Sequence, residues 1–141
     1  MLDRGFDVVA TDGSPELAAE AERLLGRQVR IMLFEDLDAV SEYDGIYANA
    51  SLLHAPRTAL SGILGRIHGA MRRDALFWAS YKAGDAEGHD SFGRYYNYLD
   101  EDALRHHYGE AAPWQSLDIT SWDGSGYDGL PTKWLAVTAR K

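Results

Sequence analysis

The chain has 141 residues, a formal net charge of −8 and no cysteine. This length suits one domain with a sizeable core, and 45% apolar with 26% charged residues excludes a mainly disordered or collagen-like chain. The lack of cysteine excludes disulfides and thiolate metal sites. The acidic charge, without clustered Lys or Arg, argues against nucleic-acid phosphates as a partner. No apolar run approaches the roughly 20 residues that span a bilayer, so we expect a cytoplasmic domain with no membrane partner.

The first half of the chain predicts alternating strands and helices. Phe6–Thr11 is a short β-branched run, typical of a strand buried on both faces. Ser14 and Pro15 begin a helix as N-cap and first helical residue, and Gly26 ends it after about Leu25. The next predicted elements are a strand at Val29–Leu33, an acidic loop or short helical turn at Phe34–Ser41, and a strand at Tyr43–Ala48.

In the second half, Pro56 precedes a helix at Arg57–Met71 whose apolar side chains recur at helical spacing. Arg72–Asp74 is predicted as a turn before a strand at Ala75–Tyr81. Lys82–Asn97 is a polar stretch too long for a passive connection, and loops of this length are often functional. The remaining predicted elements are a helix capped by Asp100 and ending near Tyr108, a strand at Trp114–Ser121, a turn at Asp123–Pro131 and a strand at Thr132–Ala139.

This order of elements indicates an α/β fold. Alternating strands and helices argue for a mostly parallel sheet with helices on both faces. The last two strands have no helix between them and should form an antiparallel hairpin. Ligands of such sheets bind beyond the C-terminal ends of the strands, so the residues after each strand are the candidate site.

Polar and aromatic residues follow the first three predicted strands. Asp12 could accept both hydroxyls of a ribose, or Asp12 and Gly13 could form only a turn before the helix. Phe34, Glu35 and Asp36 could bind adenine by stacking and hydrogen bonding, or could be a solvated acidic loop. The third strand is followed by small residues that leave room for a ligand or cap a helix, and then by a histidine: Asn49, Ala50, Ser51 and His54.

Five segments carry a family resemblance, in this order: VVATDGSPEL, MLFEDLD, YDGIYANASLLHAPR, ALFWASYK and GRYYNYLDEDAL. The chain resembles the class I S-adenosylmethionine-dependent methyltransferases over nearly its whole length, and in particular small bacterial enzymes of the tellurite-resistance type. The resemblance implies a Rossmann-like sheet, S-adenosylmethionine as methyl donor and a small-molecule acceptor. A dinucleotide dehydrogenase also has an acid after its second strand, but it is not expected to contain NASLLH or the antiparallel hairpin.

The resemblance also implies roles for residues. Asp12 would hold the ribose hydroxyls, and His54 would lie near the substrate mouth unless it only packs or caps. The other implied cofactor-binding residues are Gly13 and Ser14 near the ribose, Phe34, Glu35 and Asp36 around the adenine, and Asn49, Ala50 and Ser51 beside the methionine part.

The acceptor site is expected in the polar stretch after the fourth strand. Methyl transfer from a sulfonium needs mainly proximity and orientation, with a base for an O or N acceptor. By resemblance, GRYYN would lie over the acceptor, where Arg94 could hold an anion and the tyrosines could form a wall or only pack. No metal site is expected, because adjacent histidines on a helix point in different directions. The candidate catalytic residues are Tyr81, Lys82, Arg94, Tyr95 and Asn97.

The sequence departs from the family pattern at the N-terminus. The family's glycine-rich loop should precede Asp12 by about 20 residues, whereas Met1 is 11 positions upstream. We therefore expect residues 1–141 to be a single, N-terminally truncated methyltransferase domain that lacks its first strand. That strand would lie between the first and third predicted strands. Without it the fragment would be marginally stable, with strand edges exposed to self-association, or the flanking strands would pair directly.

Two other functions stay open at this stage. The chain could be a non-catalytic remnant or a partner-dependent subunit that lost cofactor affinity with the glycine-rich loop. It could also be a nicotinamide-dependent oxidoreductase. An upstream in-frame segment that encodes a strand and G-x-G-x-G would favour the methyltransferase.

Overall fold

The computed structural model describes residues 1–90, 93–127 and 129–141, the side chain of Asp3 aside. These residues fall into two units, Met1–Leu37 and Asp38–Lys141. Two positions of the predicted polar stretch and one of the predicted final turn lie outside the described residues: Ser91, Phe92 and Asp128. None of the helices in the described ranges has the length and apolar character needed to cross a membrane.

The first unit is a parallel strand–helix–strand unit. The predicted helix caps are confirmed: Ser14 Oγ accepts the Leu17 amide at 3.3 Å, and Gly26 ends the helix with a left-handed φ of 64°. The two strands pair in parallel, with Asp12 opposite Ile31. The elements are β1 (Ala10–Asp12), α1 (Pro15–Leu25) and β2 (Val29–Ile31).

The first strand is shorter and more exposed than its sequence predicts. Phe6 and Val9 lie before β1 and are 64% and 45% exposed, so the prediction of a strand at Phe6–Thr11 buried on both faces is wrong. The physical reason is that β1 has a single hydrogen-bonded neighbour, β2, among the described strands. A β-branched run becomes a doubly buried strand only where other elements cover it.

The second unit is built on a mixed sheet with the strand order β3-β4-β8-β7. β3 and β4 are parallel, whereas β8 is antiparallel to both β4 and β7, which confirms the predicted C-terminal hairpin. β5 and β6 form a separate antiparallel pair. The elements are β3 (Tyr43–Ala48), α2 (Arg57–Ala70), β4 (Met71–Lys82), β5 (Glu87–His89), β6 (Tyr95–Asn97), α3 (Glu101–Ala111), β7 (Ser116–Ser125) and β8 (Pro131–Arg140).

The core of the second unit follows the predicted apolar stripe of α2. Leu60, Ile63, Leu64 and Ile67 are each at most 5% exposed, and α2 contacts both α3 and β4. Burying one such side chain contributes about 1.5–3 kcal/mol. The stripe therefore holds α2 in place and fixes the segment that leads into it.

The predicted turn at Arg72–Asp74 is wrong, because β4 already begins at Met71. The register of β3 against β4 shifts between Tyr43 and Gly45, so the polar residues lie in an irregular part of a continuous strand. Asp74 adopts a φ of 64° there, and its amide donates to the Lys141 carbonyl at 2.8 Å. This long-range bond satisfies the backbone where the ladder is interrupted.

β1 and β3 belong to different sheets, and each is an edge strand among the described residues. β3 carries Tyr47, which is 54% exposed and stacks on Trp78 of β4 with ring centroids 4.8 Å apart. An exposed edge strand offers unpaired backbone groups to a further strand.

Candidate functional site

In the first unit, the predicted ribose-binding acid lies at the end of β1. Asp12 Oδ1 accepts the Ser14 amide at 2.8 Å, so Asp12 does form the turn before α1. Its Oδ2 accepts no hydrogen bond from the residues that the structure describes. A carboxylate has acceptor capacity on both oxygens, so the turn leaves Asp12 able to bind a hydroxyl group.

The predicted adenine-binding residues follow the neighbouring strand end. The Met32 amide donates to the Asp12 carbonyl at 2.9 Å, which continues the pairing of β1 and β2 up to this point. Phe34–Asp36 then forms a turn of 3₁₀ helix. Asp36 Oδ2 accepts the Leu33 amide at 3.2 Å, whereas Phe34 is half-buried and Glu35 is exposed. The two predicted groups of the first unit therefore follow adjacent strand ends.

Gly13 lies where a larger residue would be crowded. A Cβ atom at this position would be 3.2 Å from the Leu33 side chain. The glycine thus keeps the turn after β1 close to the chain that leaves β2.

In the second unit, the segment after β3 is held to β4 by a buried serine. Ser80 is fully buried. Its hydroxyl donates to Asn49 Oδ1 and accepts the Ala50 amide, each at 2.8 Å. Ser80 was not among the predicted site residues, and its signal in the sequence is one polar side chain in the apolar run ALFWASY.

The serine holds a backbone conformation that is unusual for alanine. Ala50 has a φ of 49°, in the left-handed region that costs a residue with a Cβ roughly 1–2 kcal/mol. Such outliers persist where the surroundings impose them, and they cluster at ligand sites. Ser51 follows and is half-buried.

A cavity of about 250 Å³ lies beside the segment after β3 and the last residue of β4. The predicted residues Ala50, His54, Lys82 and Arg94 are brought together in its wall. Leu53, Tyr127 and Trp134 were not predicted there. The lining residues that the structure describes are Ala50, Leu53, His54, Lys82, Arg94, Tyr96, Tyr127 and Trp134.

Lys82 places a positive charge in this wall. The residue is only 7% exposed, and its Nζ lies 4.3 Å from the ring centroid of Tyr96 and 5.9 Å from that of Trp134. Among the described residues, no carboxylate forms an ion pair with it. Aromatic faces attract an ammonium group, but they do not neutralise its charge.

Arg94 is already paired with a carboxylate. Its guanidinium donates to Asp90 Oδ2 at 2.6 Å from Nη2 and 2.9 Å from Nε. The guanidinium carbon lies 5.4 Å from the ring centroid of Tyr96 and 4.7 Å from that of Tyr127. Arg94 and Asp90 together contribute little net charge, so Lys82 carries the excess positive charge of the wall.

The hydrogen bond of His54 selects its tautomer. Its Nδ1 lies 2.7 Å from the Tyr95 carbonyl oxygen, and its ring centroid is 4.6 Å from that of Tyr96. A carbonyl oxygen only accepts, so Nδ1 carries the proton. In the neutral imidazole Nε2 is then the acceptor, which is the arrangement that a general base needs.

The other three catalytic candidates do not line the cavity. Tyr81 is fully buried, its hydroxyl lies 3.0 Å from that of Tyr108, and burial raises its pKa far above the usual range. Tyr95 donates its hydroxyl to Glu87, and burial and this bond raise its pKa. Asn97 is 1% exposed, and its side chain accepts a bond from α2.

Arg57, the first residue of α2, supports the part of the chain that carries the cavity wall. Its Nε donates to Asn97 Oδ1 at 2.9 Å and its Nη2 to the Tyr98 carbonyl at 2.8 Å. The same nitrogen also donates to the carbonyls of Asp85 and Ala86, both at 3.3 Å. Arg57 was not among the predicted site residues.

Comparison with solved structures finds S-adenosylmethionine-dependent methyltransferases. One is 1,6-didemethyltoxoflavin-N1-methyltransferase from Burkholderia thailandensis, solved with 1,6-didemethyltoxoflavin and S-adenosylhomocysteine bound. It is 26% identical, with a TM-score of 0.74, over 99% of this chain and 63% of that chain. A methyltransferase from Methanosarcina mazei is 13% identical, with a TM-score of 0.84, over 98% and 83% of the two chains. TehB from Haemophilus influenzae is 14% identical, with a TM-score of 0.66, over 97% and 50%.

The chain therefore has the fold of the class I S-adenosylmethionine-dependent methyltransferases, which confirms the predicted family resemblance, and it shares this fold with TehB. The chain spans 63% of the length of the Burkholderia enzyme. No protein-family model and no curated protein sequence matches it.

Proposed function

We propose that the chain takes part in methyl transfer from S-adenosylmethionine to a small-molecule acceptor. The observation that carries the proposal is the cavity beside β3 and β4, in a fold shared with S-adenosylmethionine-dependent methyltransferases. The cavity combines an orienting cation, Lys82, with a histidine whose Nε2 can accept a proton. Methyl transfer from an activated donor needs this kind of orientation and proton acceptance more than it needs a nucleophile.

We assign the binding of the donor as the family resemblance implies. In the first unit, Asp12 would accept the ribose hydroxyls and Phe34–Asp36 would bind the adenine. In the second unit, Asn49–Ser51 would bind the methionine part. The free Oδ2 of Asp12 supports the first assignment, and the imposed backbone conformation of Ala50 supports the last.

The test is a calorimetric titration of the chain with S-adenosylhomocysteine. Asp12→Ala should weaken binding at least tenfold, because hydrogen bonds to a charged group are worth about 1.5–3 kcal/mol. Asp12→Asn keeps an acceptor for the Ser14 amide and should also weaken binding, which separates the carboxylate from the turn. Asp7→Ala, an exposed acid in the same unit, is the control. Unchanged affinity in both Asp12 variants would remove this residue from the site.

A second candidate function is that of a non-catalytic remnant or a partner-dependent subunit. The open edge of β3, with the exposed ring of Tyr47, favours it. We propose that a further strand belongs at this edge, as the family resemblance implies, and that the chain self-associates there in its absence.

Thermal melting separates the two candidates. A longer chain with a preceding strand and glycine-rich loop should melt at higher temperature, and S-adenosylhomocysteine should raise its Tm more than that of the 141-residue chain. Equal stabilisation of both chains by S-adenosylhomocysteine would contradict the proposal of a further strand at the β3 edge. Binding of S-adenosylhomocysteine to the longer chain but not to the 141-residue chain would favour the partner-dependent subunit.

A further inference from the structure

We propose that the cavity of the second unit selects a planar anion, with the Lys82 ammonium as its charge partner. As methyl acceptor, this ligand would be an acidic heteroaromatic or phenolic compound bound in its anionic form. The identification of the ligand as the acceptor rests on the proposed function, whereas the preference for a planar anion does not.

The charge of Lys82 favours an anionic ligand. Lys82 is 7% exposed and has no carboxylate partner among the described residues. The nearby Arg94 differs, because Asp90 pairs with it at 2.6 Å. A nearly buried charge without a counterion is costly, so an anion that enters the cavity gains a desolvated partner at Lys82 that a neutral ligand cannot use.

The aromatic rings of the cavity wall favour a planar ligand. The ring of Tyr96 lies 4.3 Å from Lys82 Nζ, and the imidazole of His54 lies 4.6 Å from that same ring. The indole of Trp134 is part of the same wall, 5.9 Å from Nζ. Flat rings prefer to stack on flat rings. A cavity of about 250 Å³ is also smaller than most ligand pockets, which favours a compound of one or two rings.

An anionic acceptor is ready to react with the methyl donor. The lone pair of a bound anion forms the bond to the methyl carbon, while the carbon–sulfur bond of the donor sulfonium breaks and leaves its electron pair on sulfur. No proton has to be removed from such an acceptor during transfer. Where the acceptor enters as its neutral acid, Nε2 of His54 takes the proton, and Lys82 favours that ionisation by stabilising the anion.

The experiment compares two probes of the same shape, 4-nitrobenzoate and 4-nitrobenzamide, by ligand-observed NMR titration of the 141-residue chain. The chain should bind the anion at least tenfold more tightly than the amide, which corresponds to about 1.4 kcal/mol. Lys82→Met should lose this preference and Lys82→Arg should keep it. Lys133→Met is the matched control, because Lys133 lies on β8 beside Trp134 but is exposed. Tyr96→Leu should weaken both probes alike.

Three results would overturn the inference: equal binding of the two probes, binding of neither, or a preference for the anion that survives in Lys82→Met. The titration contains no methyl donor, so its outcome is independent of the S-adenosylhomocysteine titration of Asp12. A chain that binds the benzoate but not S-adenosylhomocysteine would keep this inference and lose the proposed function.

Discussion

Arg57 should hold the β5–β6 pair in place, and Arg57→Met tests this. The substitution keeps an aliphatic side chain at the start of α2 but removes every guanidinium donor. The donors that are lost reach Asn97 Oδ1 at 2.9 Å and the Tyr98 carbonyl at 2.8 Å, both in half-buried surroundings. Both acceptors lie within or directly after β6, the strand that also contributes Tyr96 to the cavity wall.

The size of the effect follows from these two bonds. A hydrogen bond to a charged group contributes about 1.5–3 kcal/mol, and leaving a buried acceptor without a donor adds a desolvation cost. Asn97 is 1% exposed, so water reaches its oxygen poorly. The two bonds at 3.3 Å to Asp85 and Ala86 are exposed and add little. We therefore expect Arg57→Met to lower the free energy of unfolding by about 2–4 kcal/mol.

Urea denaturation and amide hydrogen exchange together measure this effect. The Tyr98 amide, which donates to the Ala86 carbonyl, should exchange faster in Arg57→Met. The matched control is Arg72→Met. This substitution removes an equally short ion pair to Asp44, at 2.8 Å. Both side chains of the pair are more than half exposed, so the free energy of unfolding should fall by less than about 1 kcal/mol. Equal losses in the two variants would refute the argument that burial of the Arg57 partners decides the energy.

Other side chains should affect stability in ways that are also measurable by urea denaturation. Gly84→Ala should cost at least about 1 kcal/mol, because the new Cβ would lie 2.9 Å from the Tyr98 Cβ at a φ of 156°. Tyr81→Phe leaves the buried Tyr108 hydroxyl without its partner and should cost about 1–3 kcal/mol; replacing both tyrosines by Phe should recover part of that loss. Burial lowers the pKa of His68, so the unfolded chain binds more protons than the folded chain below about pH 6.5. Stability should therefore fall as the pH drops through that range, and His68→Gln should make the fall shallower.

Patterns that are local in the sequence predicted much of the fold. The caps of α1, the apolar stripe of α2 and the absence of a helix between β7 and β8 each depend on a few neighbouring residues, and the structure contains all three. The errors arose where residues that are distant in the sequence determine the local structure. Phe6 is exposed because β1 has one strand neighbour, and Asp74 lies in β4 because its amide bonds to the C-terminal residue. Neither the strand neighbour nor the C-terminal residue lies within the local pattern that gave the prediction.

The residues of the candidate site also divide into those that local sequence rules singled out and those that depend on distant partners. The rule that ligands bind after strand ends singled out Ala50, His54 and Lys82, and the cavity wall brings them together with Arg94 of the long polar stretch. Trp134 joins them because the register of β4 against β8 sets it opposite Lys82. That register depends on how two strands align whose paired residues are more than fifty positions apart, and no residue spacing in the sequence expresses it.

The wall of the cavity has a fixed part and a replaceable part. Lys82 is paired within the sheet and Ala50 is held by the buried Ser80, so changes near them disturb β3 and β4. Tyr127 is 82% exposed, and its ring approaches the guanidinium of Arg94 at 4.7 Å. Exposed positions on connections tolerate substitution at little cost in stability. The choice among planar anions can therefore change through Tyr127 while the charge at Lys82, which makes anions the preferred class, stays fixed in the sheet.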